Sequence, residues 1–196
     1  MTAFLIHHYE NLPSQSHFMR AWLIHRLDKD TQGFLIIAKT EAGLQYFKTL
    51  FQRKSESWSP EEKESVPLKK MYRARCESTP SSHSFLKSLT LQNPYLISQM
   101  VHAKVPHSTP KLWLTKIISY QSVPWFPQLF DLFLEILTWR THQIRFHLSQ
   151  LNLPIQWDPL YGTGKYPETN LQLKAYRLEF LDLYWNYRVF ERYPLS

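Results

Sequence analysis

Glycine is scarce in this chain, with four among 196 residues, so loops that need positive φ have few glycines to draw on. Cysteine is scarcer still. Cys76 stands alone, which excludes an internal disulfide and a Cys-cluster metal site and suits a reducing compartment. Long apolar runs are missing too. The N-terminal stretch AFLI, residues 3–6, is stopped by His7 and His8 and is too brief for a signal-peptide core. No segment approaches the roughly 20 apolar residues of a membrane span. The chain therefore reads as a cytoplasmic protein with no membrane partner. What it has instead is positive charge: 23 Lys and Arg against 16 Asp and Glu, a net charge of +7, as expected of a surface that meets polyanions. Charge alone fits a merely basic protein equally well. A length of 196 residues and 43% hydrophobic content suit a single domain with an ordinary core over residues 1–196.

Strand-like and helix-like blocks alternate without an internal repeat. The run FLIIA at 34–38 reads as a short buried strand closed by Lys39 and Thr40. Thr40 is a candidate N-cap, and Leu44, Phe47, Leu50 and Phe51 recur at helical spacing, predicting an amphipathic helix over 41–53. Residues 55–70 mix Ser, Pro and both charges and read as a solvated loop. In MYRARC, 71–76, Tyr72, Ala74 and Cys76 share one face of a strand. The pattern is poor over 77–110, where loops and short strands are expected. Residues 112–120 and 129–139 are β-rich. Ile144, Leu148 and Leu151 mark a helical stripe with Asn152 as its C-cap, and 171–190 returns to strand-like alternation. Strands outnumber helices and several connections are short. These features predict an α+β fold, a mixed, largely antiparallel sheet with helices packed on it.

Three blocks carry chemistry. In HRLDKDTQG, Asp30 and Gly33 suit a turn, whereas Asp28 after Arg26 is harder to dismiss that way. The block KMYRA presents an aromatic hydroxyl, Tyr72, from a strand. In WRTHQIRFHL, followed by PIQWDPLYG, the expected helix sets Thr141 and Arg145 on one face at i, i+4. The nine histidines do not make a metal site: His142 and His147 are five apart and diverge on a helix. Asp28 with Asp30 could be read as a glycosidase-like pair or a cation site, but a turn carboxylate explains Asp30 more simply.

Taken in order, these blocks resemble the RluA-type pseudouridine synthase family. That family carries His-Arg-Leu-Asp, Thr-Ser-Gly and an apolar strand ending Ala-Lys-Thr, where this chain has HRLDKDTQGFLIIAKT. Its Lys-x-Tyr-x-Ala corresponds to KMYRA, and its Gly-Arg-Thr-His-Gln-Ile-Arg to WRTHQIR. The strand LQLKAYRLEF also resembles a family segment, with Lys174 where His is usual. The resemblance spans residues 21 to about 181 and implies isomerisation of specific uridines to pseudouridine in ribosomal or transfer RNA, without cofactor or metal. It implies that Asp28 acts at the ribose as nucleophile or general base, with Arg145 as its guanidinium partner and Tyr72 packed against the uracil and serving as a base for the C5 proton late in the reaction. Arg26 would fill the gap left by an extruded nucleotide. His25, Lys70, Arg73, Arg140, Thr141, His142 and Gln143 are the remaining RNA-binding candidates, with Lys69, Arg75 and Lys39 as further cations. Asp158, Tyr161 and Gly162 read as a structural turn.

Departures from the family pattern are specific. Trp139 and Trp157 stand where the family has glycine, and Gln32 where it has Ser. The strand and Asn-Lys-Pro-x-Gly element that normally precede the first block are not among the 24 residues before His25, so an N-terminally abbreviated fold is expected. A monomeric catalytic domain without an accessory RNA-binding domain must then grip structured RNA by itself. The alternative function is a catalytically inactive RNA-binding paralogue; a metal-dependent hydrolase is a third.

Overall fold

A computed structural model describes residues 22–57, 59–89, 94–101, 109–164 and 171–192. The apolar stretch 3–6 and the pair His7 and His8 lie outside these residues. In chain order the elements are β1 (Gln32–Gly33), α1 (Glu41–Glu56), α2 (Pro60–Ser65), β2 (Leu68–Glu77), α3 (Pro80–Ser88), β3 (Tyr95–Val101), β4 (Lys111–Val123), β5 (Phe126–Ile136), α4 (Gln143–Gln150), β6 (Leu173–Leu181) and β7 (Tyr187–Glu191). Seven strands form one sheet in the order β1-β6-β2-β5-β4-β3, with β7 also paired to β6. Only β1 with β6 is parallel; the other pairings are antiparallel. The mixed, largely antiparallel α+β architecture expected from the sequence is the one observed.

Alternation decides which side of the sheet becomes the core. In β2, Leu68, Lys70, Tyr72, Ala74 and Cys76 are buried while the residues between them are half-buried, so the face predicted for Tyr72 is the packed one. Across from it, α4 lays Ile144 and Leu148, and α3 lays Leu86, on Leu132, Leu134 and Ile117. A second cluster forms where α1 places Leu50 against Ile36, Leu68 and Leu178.

Local chemistry sets the helix ends. The Thr40 hydroxyl accepts the Gly43 amide at 3.1 Å and starts α1, three residues longer than its apolar stripe suggested. Asn152, with φ of 55°, follows α4 as the left-handed terminator expected of it.

Four expectations are corrected. The run at 34–38 is not a strand. Only Gln32 and Gly33 pair with β6, and Ile37 makes an isolated bridge to Leu23. Gly33 explains the tight approach, since a Cβ there would sit on the Ala175 carbonyl and its φ is 124°. The charged 55–70 segment holds α2 and the start of β2. Its Lys63 is buried because its amine bonds the Lys54 and Ser55 carbonyls at 2.7 and 3.2 Å, closing the end of α1. Within 77–110 a helix appears, α3, announced by a Thr79–Ser82 capping box and Pro80 at its first turn. Finally, α4 begins at Gln143, so Thr141 precedes the helix and does not share a helical face with Arg145.

Candidate active site

The segment 22–31 runs from the Leu23–Ile37 bridge into β1, and this short pairing hangs it over the first half of β2 and the start of β6. A cleft of about 240 Å³ opens there. It is lined by His25, Arg26 and Asp28 from that segment, Phe51 from α1, Lys70 and Tyr72 from β2, Leu173 from β6, and Trp139, Arg140, Thr141 and Gln143 from the approach to α4. Three sequence blocks spread over more than a hundred residues therefore meet in one place.

Asp28 is half-buried on the cleft wall. Among the described residues its carboxylate has no hydrogen bond or salt bridge, which leaves both oxygens for whatever enters. Its charge is felt by Lys70, Tyr72 and Arg145. Tyr72 is 6% exposed, and burial, with the Asp28 charge beside it, pushes its hydroxyl well above the usual phenol range. An uncharged ring with a bound proton is thus what the cleft presents.

Lys70 departs from its expected role. It is 3% exposed, and its Nζ lies 3.1 Å from His25 Nδ1 and over the Tyr72 ring. Burial pulls its pKa down to about 7, against the opposing pull of Asp28. The Ile36 amide donates to His25 Nε2 at 3.0 Å, so a neutral ring carries its proton on Nδ1, which lies 3.5 Å from the Arg26 carbonyl and 3.1 Å from Lys70 Nζ. His25 is likewise structural, stacked on Phe51 and lowered to about 3 by burial and by Lys70.

Arg145 also has a different partner from the one expected. Its guanidinium grips Asp158 through two bonds of 2.8 and 2.6 Å, with side-chain exposures of 3% and 0%. Asp158 further accepts the Leu160 and Tyr161 amides, both at 2.9 Å. Asp158 is therefore more than a turn residue. It holds Arg145 behind the cleft, from where the guanidinium acts on Asp28 through its field rather than a direct bond. Sequence reasoning missed this role, although a buried Arg with an Asp thirteen residues on, past the end of a short helix, was the available signal.

Arg73 and Arg75 point away from Tyr72 by strand alternation and clamp Asp131 at 2.5 and 2.9 Å on the other side of the sheet. Neither lines the cleft. The Gln143 amide is buried and engaged by Thr138, Thr115, the Leu114 carbonyl and the Arg140 amide, so it braces the floor and has no capacity left for RNA. His142 sits at φ 58° before α4 with its ring against Tyr161, outside the lining. Arg26 and Thr141 are exposed at the rim. Arg140 lines the cleft with a buried Nε that finds no partner among the described residues, and the hydroxyl of Thr31, another lining residue, is in the same state.

The two tryptophans at family glycine positions differ. Trp157 has φ of 61°, a conformation that costs an L side chain roughly 1 to 2 kcal/mol, whereas Trp139 is outside the left-handed region. Among the described residues no group of His, Cys, Asp and Glu could hold a metal ion, and no helix is long and apolar enough to cross a membrane.

Comparison with known proteins gives this arrangement its relatives. A family model described as RNA pseudouridylate synthase matches residues 7–150. The ribosomal large subunit pseudouridine synthase D of Borreliella burgdorferi is 30% identical over 181 residues, 90% of this chain and 50% of that protein. The protein of the same name in Neisseria meningitidis is 28% identical, covering 86% and 43%. An uncharacterized RNA pseudouridine synthase of Haemophilus influenzae is 31% identical, covering 87% and 68%. The chain thus spans about half the length of the first two. Among solved structures, human RNA pseudouridylate synthase domain containing 1 superposes with a TM-score of 0.62 at 20% identity, covering 89% of this chain and 69% of that one, a likeness of fold.

Proposed function

Because the chain belongs to the RNA pseudouridylate synthase family, we propose that it isomerises uridine to pseudouridine in structured ribosomal or transfer RNA, with Asp28 as the acting carboxylate. The observation that carries this reading is the Asp28 carboxylate, unpartnered in a cleft whose other walls are Tyr72, Lys70 and the Arg26 rim. The relatives named for the large ribosomal subunit support the choice of RNA.

The reaction breaks the bond between ribose C1′ and uracil N1, turns the retained base, and joins C1′ to C5. C5 then loses its proton and N1 gains one, so nothing enters or leaves overall. Asp28 serves either by attacking C1′ or by taking a proton from C2′, and both roles use its ionised form. Tyr72, held protonated, offers its ring as a packing face for the base rather than as a resting phenolate. An exposed Arg26 at the rim suits the space vacated by an extruded nucleotide, and the unpaired Thr31 hydroxyl and Arg140 Nε suit the polar edges of what enters.

The test is proton release from C5 of uridine in cellular RNA, comparing the native chain with Asp28→Asn. Release by the first and none by the second is expected. If both bind RNA and neither releases a proton, the protein is a binder and the catalytic reading fails.

A further inference from the structure

Three tryptophans occupy backbone positions that ordinarily belong to glycine. Among the described residues five non-glycines have positive φ: Asn152 and His142, types that tolerate it, and Trp125, Trp157 and Trp185 at 68°, 61° and 63°. Bulky residues are genuine outliers there. Each of the three sits at the glycine position of a recognisable turn. Val123 pairs with Phe126 across Pro124-Trp125, a two-residue loop with proline first and positive φ second, the Pro-Gly pattern of a type II turn. Trp157 is the third residue of the turn closed by the Asp158 amide on the Ile155 carbonyl at 3.1 Å. Trp185 ends a three-residue hairpin loop between Asp182 and Asn186, the left-handed position that takes glycine before a bulge.

Burial explains neither Trp125 nor Trp185, and it covers Trp157 only in part. Trp125 is 95% exposed, Trp185 79% and Trp157 37%. Nor does the cleft. Trp125 lies at the end of β5 opposite Ile136, which lines the cleft, and Trp185 lies beyond Leu181, at the end of β6 opposite Leu173. Trp139 adds a fourth case of another kind. It stands where the related family has glycine, it narrows the cleft next to Lys70 and Phe51, and its Nε1 is buried with no partner, unlike most buried indoles. The composition agrees: seven tryptophans and four glycines invert the usual ratio, in which glycine alone makes up about 7% of residues.

We infer that positions 125, 139, 157 and 185 are glycine in the protein as its own cell makes it, their codon being decoded there as glycine rather than tryptophan. UGA fits, since it is a stop codon in most genomes, tryptophan in some lineages and glycine in others. Glycine relieves the three strained turns and, at 139, removes an indole from the wall of the cleft beside Asp28 and Lys70, leaving room for a nucleotide.

Peptide mass spectrometry of the protein from its native cells decides the matter. Peptides spanning 125, 139, 157 and 185 should each be lighter by one tryptophan-to-glycine difference, and tryptophan at these positions overturns the inference. In chains made by a standard host, replacing Trp125, Trp157 and Trp185 together by glycine should raise the melting temperature by several degrees, and a fall would remove the physical premise. Only the account of position 139 rests on the proposed reaction. Trp139→Gly should speed C5 proton release, and a slower rate would give the indole a working place in the cleft. If no chain releases a proton, the reaction fails while the mass result still stands.

Discussion

Removing the charge of Asp158 is the sharpest test of how Arg145 is held. The pair is bidentate, and neither side chain is more than 3% exposed. Asp158→Asn keeps an oxygen for the Leu160 and Tyr161 amides but strands a buried guanidinium, and breaking a buried pair in this way costs about 3–5 kcal/mol. Asp158→Ala also strips both amides of their acceptor, adding about 1 kcal/mol for each. For a chain of this size the Asn variant should then melt roughly 10 °C lower. Urea unfolding followed by circular dichroism reads the loss as a lower midpoint at unchanged slope. Acid should expose the same pair. Burial alone would push the Asp158 carboxyl up, but the Arg145 guanidinium and the two amides outweigh it and hold the folded value below the usual one. The stabilisation is therefore complete above about pH 4 and lost as pH falls through the folded value, and the Asn variant should lack this segment of the acid transition. A loss under about 1 kcal/mol would mean that water reaches the pair, and the anchoring of Arg145 would be wrong.

Other outcomes follow from the same geometry. Lys70, lowered to about 7, binds a proton when unfolded that it releases when folded, so stability should rise with pH between about 7 and 10, by up to about 1.4 kcal/mol per unit; Lys70→Met should flatten that rise in urea titrations. His25 and His147, lowered to about 3 and about 4, act in the same sense in acid, so stability should climb between about pH 4 and 6, and His147→Gln should make the climb shallower. Gln143→Leu leaves the Leu114 carbonyl and the Thr115 and Thr138 hydroxyls short of a partner and should cost about 2 kcal/mol or more, read by thermal melting. Asp28→Asn, by contrast, breaks no side-chain hydrogen bond or salt bridge among the described residues and should leave the melting temperature within about 1 °C while C5 proton release disappears.

The sequence alone determined what short-range physics can encode. Period-two burial in MYRARC follows from strand geometry, the Thr40 cap from a hydroxyl ahead of an apolar stripe, and the Asn152 terminator from tolerance of positive φ. The motif blocks likewise point to Asp28 and Tyr72, both of which line the cleft. Tertiary structure decided what depends on partners distant in the chain. Lys70 and Gln143 carry polar heads that read as RNA contacts, yet strand alternation and the start of α4 turn both inward, where His25 and the Thr138–Thr115 pair satisfy them. Arg73 faces the far side because it is one residue from Tyr72, and Arg145 belongs to Asp158 because the chain after α4 folds back onto it. Long-range pairing is invisible to local pattern: a charged side chain's partner is set by which strands and loops meet, and that is known only once the sheet has closed.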